Sequence, residues 1–415
     1  MLTDSPKLRY LESLPFEDQG RQLILLRDPK KISEQALAVT PELYSLLLLF
    51  DGKHSILDIQ AEMKRRQGQI VLQEELSRLL AQLDSAYFLE NENFRRYHSD
   101  LVETYRGQAV RKASHAGISY PGEPVQLSET LSSFYTDPKA GGLPGARTKP
   151  HPKALVAPHI DLRLGGATYT HAYRELAESE PPDVFVILGT GHMGLPQLFS
   201  VSSKDFETPL GTAVLDRDFL QLFREQCPAP LFGEDLTHRS EHTIEFQVVF
   251  LQHLFPQQPI RILPVLCSFS YLELCTSPYS ERTRPLFWKF IEGVRKAEEQ
   301  SGKRVCWIAS VDLAHMGPRY GDASRPTERD IEQASAKDLE LLDQVATADA
   351  ENFFRLVQDE KDRRRICGFS PLYTLLNLID GQTGRLLAHD HSIMDPTGSF
   401  VTYASMVFPC EPVNS

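Results

Sequence analysis

The chain has no apolar stretch near the roughly 18 residues that a membrane-spanning helix needs. Its longest run is Leu46–Phe50, the core of a short helix, so no membrane partner is expected. Cysteine is scarce, six in 415 residues with no C-x-x-C pair, which argues against a disulfide framework. Most cysteines lie in apolar contexts, Cys267 in ILPVLC and Cys306 in VCWIA, where they act as small buried hydrophobes. Basic charge is also short. Against 56 acidic residues stand 44 Lys and Arg, a net charge of −12. A domain that grips nucleic acid through its phosphates is usually basic, so no nucleic-acid partner is expected. No G-x-x-x-x-G-K-[ST] occurs, which removes a P-loop, and no H-E-x-x-H, which removes a zincin helix. The opening MLTDSPKLRYLESLPFEDQG lacks the basic-then-apolar layout of a secretory signal, so the reducing cytoplasm is the expected compartment.

What is present is an ordinary globular composition, 41% apolar and 24% charged, with length for two or three domains. The first hundred residues differ from the rest. RQLILLRD reads as a strand, and TPELYSLLLLFDGKHSILDIQAEMKRRQG has helical periodicity broken at Asp51-Gly52. Thr40 and Ser55 are N-cap candidates, with Pro41 at the favoured first helical position. VLQEELSRLLAQLDSAYFLENEN predicts a third helix and then a short strand at Tyr87–Leu89. His54 follows a turn and reads as a solvated loop residue. RYHSDLVETYRGQAV reads as a connection, and the Pro/Gly/Lys-rich Thr136–Lys153 as a loop with little local reason for order. Beyond it strands and helices alternate to TYASMVF, which predicts a doubly wound α/β domain with a mostly parallel central sheet.

Three segments of that domain each read as a buried strand ending in a polar, histidine-bearing loop. ALVAPHID closes on His159 and Asp161, VFVILGTGH on His192, and VCWIASVDLAH on Asp312 and His315. Short Val/Ile/Leu-rich runs suit strands covered on both faces, and ligands bind beyond the carboxyl ends of such strands. Each histidine alone reads as structural; imidazoles and a carboxylate at equivalent strand ends point to one shared pocket. If the turn after the third strand is helical, Asp312 and His315 share a face and the carboxylate orients the imidazole. A capping Asp with an incidental His is the alternative. In EHTIEFQ, Glu241, His242 and Glu245 fall in one helical turn, where two like charges at i, i+4 call for a cation or proton. A solvated acidic face is the alternative there. Cys367 in RRRICGFSP follows a basic run that favours thiolate, a nucleophile and soft metal ligand, or it is a buried structural cysteine.

From Arg111 onward the chain resembles the Memo-like family, within it the AmmeMemoRadiSam system protein B group. It does so through KASHAGISYP, VAPH, LGTGH, EHTIEFQ, ILPVL, ASVDLAH, CGFSPLYTLLNLI and TYASMVF in that order. The resemblance implies a fold like that of class III extradiol ring-cleaving dioxygenases. It implies a transition metal, iron or copper with zinc as a further option, held by His159, His192 and Cys367. Asp312 and His315 would handle protons, with His242 as a neighbouring catalytic or substrate-binding group. Cys367 stands where the dioxygenases use a carboxylate, which softens the site. The family's A-P-H-A-G-Y pattern is replaced by APHIDLRLGG, so Asp161 and Arg163 are new polar groups nearby. The group's name implies a radical SAM protein and an AMMECR1-like protein as partners. The N-terminal segment resembles PqqD-like peptide-recognition modules of winged-helix form, through D-x-x-[apolar], LLLLFDGKHSILDI and LLAQLDSAYFL, which implies a bound peptide. The expected organisation is therefore a PqqD-like domain over 1–105 and a Memo-like α/β domain over 106–415. The function expected is that of a metal-dependent oxidoreductase or modification-system component. A non-catalytic peptide- or metal-binding protein and a true extradiol ring-cleaving dioxygenase are the alternatives.

Overall fold

The computed structural model describes residues 4–68, 70–195, 197–227, 235–379 and 381–410. The chain forms two compact units, Met1–Gly107 and Gln108–Ser415. No helix among the described residues is long and apolar enough to cross a membrane.

The first unit holds an antiparallel sheet of β1 (Glu12–Asp18), β2 (Arg21–Arg27) and β3 (Ala36–Val39), packed with helices Pro41–Leu47, Ile56–Gln67, Gln73–Ser85 and Glu92–Gly107. Its helix starts follow from local chemistry. Thr40 accepts from the Leu43 N–H with Pro41 in the first turn, and Ser55 forms a reciprocal capping box with Asp58. Leu26, Phe50, Ile59, Leu80 and Leu83 are central to its core. Two expectations change here. Tyr87–Leu89 is not a strand: Tyr87 has φ 57°, a left-handed conformation, and only Leu89 makes an isolated bridge, to Leu8. The segment read as a connection is mostly the helix Glu92–Gly107, which buries Phe94 and Tyr105 on one stripe. His54 sits in a turn with Nδ1 3.1 Å from Asp51 Oδ1.

The second unit is built on an eleven-stranded sheet. Its strands are β4 (Val110–Arg111), β5 (Pro152–Ala157), β6 (Val184–Thr190), β7 (Phe199–Val201), β8 (Asp205–Thr208), β9 (Gly211–Leu215), β10 (Arg261–Cys267), β11 (Val305–Ser310), β12 (Asp312–Met316), β13 (Arg385–Ile393) and β14 (Phe400–Pro409). The order is β12-β14-β5-β11-β6-β10-β9-β8-β4, with β13 beside β14 and β7 beside β10. The centre, β5-β11-β6-β10-β9, is parallel, and β14 closes it antiparallel on β5. Every residue of β6 and β11 is buried. The period-two alternation sends Val184, Val186 and Leu188 into one apolar layer and Phe185 and Ile187 into the other. The Thr136–Lys153 segment, a loop with little local reason for order, is tied down by distant partners. Gly141 N–H donates to Thr170 Oγ1 at 2.9 Å, Gly145 N–H to Glu178 Oε1 at 2.9 Å, and Lys149 meets Glu175 and Glu178, all on the helix Leu162–Ala177 or its end.

EHTIEFQ is not one polar turn. Glu241 precedes the helix Thr243–Leu254, whereas Glu245 lies within it, and the two carboxylates diverge. Glu245 is fully buried against Arg111 of β4 and also accepts from Tyr120 OH, the Ser114 N–H at 3.0 Å and the His115 N–H at 3.0 Å. Burial alone would raise the Glu245 pKa, but Arg111 and Tyr120 outweigh it and hold the carboxyl below its usual range. A depressed folded pKa adds stability above the unfolded value that is lost as pH falls through the folded one. Glu245→Gln is expected to cost about 3–5 kcal/mol in urea denaturation, because Arg111 is left buried and uncompensated. The Arg111→Met/Glu245→Leu double variant is expected to recover only part of that loss, because Tyr120 OH and the Ser114 and His115 N–H groups also lose their acceptor.

Candidate metal centre

Strand β11 lies between β5 and β6, and its register aligns Ser310 with Ala157 on one side and Gly189 on the other. The three chain segments therefore leave the sheet side by side. The helix Thr243–Leu254 is stitched to those ends. Thr243 Oγ1 donates to Thr190 O at 3.1 Å, and Ser310 Oγ to Thr243 O at 2.6 Å. Gln247 Nε2 donates to Pro158 O at 2.7 Å and to Ser310 Oγ at 2.8 Å. The approach is close enough to require glycine at Gly189, where a Cβ would stand 2.5 Å from Thr243 Oγ1. His242, just ahead of the helix, is thereby delivered to the pocket formed by the strand ends.

The imidazoles of His159, His192 and His242 converge, their ligand atoms all within 4.8 Å of one another. Each Nδ1 is already committed. His159 Nδ1 donates to Ser310 O at 2.9 Å; His192 Nδ1 and His242 Nδ1 lie 3.1 and 3.0 Å from Glu241 Oε1. An acceptor at Nδ1 leaves the lone pair on Nε2, the arrangement seen when an outer carboxylate or carbonyl orients a ligating histidine. Glu241 also accepts from the backbone N–H of His192 at 3.0 Å and of His242 at 2.8 Å. One buried carboxylate thus sets two rings, which stack with centroids 5.0 Å apart.

Electrostatics follow the burial. Desolvation, then the neighbouring His192 and His242, holds His159 well below the usual imidazole pKa. For His192 desolvation acts downward, but Glu241 overcomes it and the net shift is upward. Burial would raise Glu241, yet His192 and His242 hold it well below the carboxylate range. Asp312 is pushed up to about 7 by burial, against the pull of two backbone N–H groups.

The remaining expected residues surround this trio. Cys367 Sγ lies 3.3 Å from His159 Nε2 and 3.5 Å from Asp312 O. The expected arginine-activated thiolate does not form. Arg364 is spent on Asp338 and Glu360 and Arg365 on Asp322, while burial raises the Cys367 pKa well above its usual value. Gly368 lets the thiol loop press on Asp312, since a Cβ there would come within 2.6 Å of Asp312 O. Asp312 and His315 sit on β12, not on a helical turn. Asp312 Oδ1 accepts from the N–H of His159 at 3.0 Å and of Ile160 at 3.2 Å, and Oδ2 is 3.6 Å from His159 Nε2. His315 Nδ1 instead meets Leu313 O at 3.0 Å, and burial lowers its pKa to about 4. Asp161 caps the helix Leu162–Ala177 and is paired with Arg163 at 2.6 Å. The role of Glu241 was not legible from sequence. An acid directly before a histidine was its one signal, and its partner His192 is 49 residues away.

A parallel α/β sheet with histidines converging beyond its central strands defines a metal-capable pocket protein. The comparisons then narrow the class. The family model described as Memo-like protein matches residues 111–407, and the chain belongs to the Memo-like family. It is 31% identical to a MEMO1 family protein of Aquifex aeolicus over 97% of this chain and 99% of the relative. It is 27% identical to one of Thermus thermophilus over 84% and 98%, and 27% identical to one of Methanopyrus kandleri over 72% and 98%.

The donor set suits a transition ion, since imidazole and thiol are the side chains such ions take up readily. Glu241→Gln, which keeps shape but weakens the acceptor for two ring N–H groups, is expected to lower metal affinity about 10–100-fold at unchanged stoichiometry. Metal titration followed by elemental analysis measures both. Because His192 holds its proton to higher pH than a free imidazole, loading is expected to rise with pH through that titration.

Proposed function

We propose that the protein is a metal-dependent oxidoreductase-type enzyme whose ion is held by His159, His192 and His242, with Cys367 as a soft donor beside His159. The observation that carries this reading is that all three Nδ1 atoms are anchored on acceptors while the rings converge. The ligand set widens the expected His159, His192 and Cys367 by taking in His242. Imidazole with a cysteine sulfur that loses its proton on coordination favours iron or copper, with zinc as the redox-inert option. When bound, such an ion supplies electron transfer or Lewis-acid polarisation at the site.

The chain's own residues supply the proton chemistry. Asp312, titrating at about 7, offers Oδ2 near His159 Nε2 as a group that both releases and accepts a proton near neutrality. His315 stays neutral, with Nδ1 tied to Leu313 O, which leaves Nε2 as a proton acceptor. A cavity of about 360 Å³ lined by Thr190, Ser268, Glu273, Asp362 and Cys367 supports approach of a substrate from the thiol side. Ring cleavage proper is the narrower reading; it requires oxygen uptake with catechols under Fe(II).

For the first unit we keep the PqqD-like winged-helix reading, in which it binds a peptide. Its three antiparallel strands with helices support this, as does a groove of about 480 Å³ lined by Leu43, Leu46, Met63 and Leu79. A radical SAM protein and an AMMECR1-like protein remain the proposed partners, with the two-unit chain as a component of their modification system.

Metal analysis of protein purified anaerobically tests the centre. Wild type is expected to carry a stoichiometric transition ion, His242→Ala to lose it, and Cys367→Ser to keep an ion while losing preference for copper. Metal-free wild type after reconstitution sinks the proposal. His315→Ala is expected to retain metal and lose oxygen consumption; loss of metal there would make His315 a ligand instead.

A further inference from the structure

A second cavity, about 950 Å³, lies among the helices Tyr279–Ser301, Ala350–Asp359 and Phe369–Leu378 and shares no lining residue with the metal centre. Its size is that of a small-molecule site. Arg284, Trp288 and Arg295 reach it from one helix, at spacings of four and seven that keep them on one face. Arg355 and Phe354 reach it from the second helix and Tyr373 from the third.

Charge makes this cleft unusual for the chain. The protein carries a net charge of −12, yet three guanidiniums line one cavity, and none is in a salt bridge among the described residues. Arg295 donates to Asn377 O at 2.5 Å and Arg355 to Asn352 Oδ1, both neutral acceptors that leave most of each fork free. Two carboxylates lie on the rim among the described residues, Glu351 and Asp349, the latter capping its helix by accepting from the Asn352 N–H and side-chain amide. Among the described residues, two anions thus face three cations. Aromatic side chains alternate with the guanidiniums in the lining. Trp288 is 43% exposed, and Phe354 and Tyr373 pack with ring centroids 5.4 Å apart.

We propose that this cleft binds a phosphorylated planar-ring small molecule of the mononucleotide class, its phosphate on Arg284 and Arg355 and its ring against Trp288, Phe354 and Tyr373. The guanidiniums outnumber the two carboxylates on the described rim, and a phosphate dianion presents oxygens that a guanidinium fork takes in pairs. Aromatic faces stack any planar base without demanding its hydrogen-bond pattern.

Trp288 reports on the site directly. The chain has two tryptophans, and the other, Trp307, is fully buried in β11. Full-length protein is titrated with AMP, GMP, CMP and UMP, with adenosine, and with inorganic phosphate at constant ionic strength, following tryptophan emission. Saturable quenching by at least one mononucleotide is expected, absent in Trp288→Phe. Adenosine is expected to bind more weakly, and excess phosphate to shift the mononucleotide curve to higher concentration. Arg284→Ala/Arg355→Ala is expected to weaken binding about ten-fold or more, the loss of charged hydrogen bonds, with unchanged metal content and thermal melt. The proposal is overturned by no response to the four mononucleotides, by adenosine binding as tightly as AMP, or by wild-type affinity in the arginine double variant. Failure of phosphate to compete removes the guanidinium assignment and with it the proposal.

Discussion

Parallel strands that run in register must release their chains at one edge, and in this protein β5, β11 and β6 are such strands and are adjacent. Everything at the candidate metal centre depends on that constraint. It requires both faces of the sheet to be covered, because a parallel sheet built from wholly apolar runs has no face to give to water. The covering helix Thr243–Leu254 supplies the third imidazole as a consequence of its docking, through Thr243 and Gln247, onto the same strand ends.

Around this frame the polar groups divide by what they neutralise. Glu245 answers Arg111 and pins the segment that begins the second unit. Glu241, four residues earlier, answers two imidazoles and fixes their tautomers. Asp312 answers two backbone N–H groups and feels only a weaker pull from His192, which burial outweighs, so its carboxyl is the one of the three pushed towards neutrality. Three buried carboxylates therefore serve as lock, orienter and, in the proposed function, proton carrier, and the difference lies in what each faces. The loop carrying Cys367 is held in the same way. Arg364 pairs with the buried Asp338, which also meets His389 and Thr402, while the Arg364 carbonyl accepts from the His315 N–H at 2.7 Å.

Much of the fold was legible because its signals are local. The apolar runs of β5, β6 and β11, the caps at Thr40 and Ser55 and the helical stripes each depend on a few neighbouring residues. What was not legible was decided by distant partners. The Thr136–Lys153 loop is ordered by Thr170 and Glu178, which no nearby pattern announces. Asp312–His315 extends because β14 pairs with it, although the spacing suits a helix equally well.

Sequence by itself determined the strand ends, their histidines and the family to which the order of motifs points, since these reside in contiguous residues. Tertiary structure alone decided which groups meet. It set Glu241 on two imidazoles, brought His242 into the trio, placed Cys367 against His159 across 208 positions, and turned Glu245 away to Arg111. Hydrogen bonds and charges act over a few ångströms of space, and separation along the chain carries no measure of that distance until the sheet has formed.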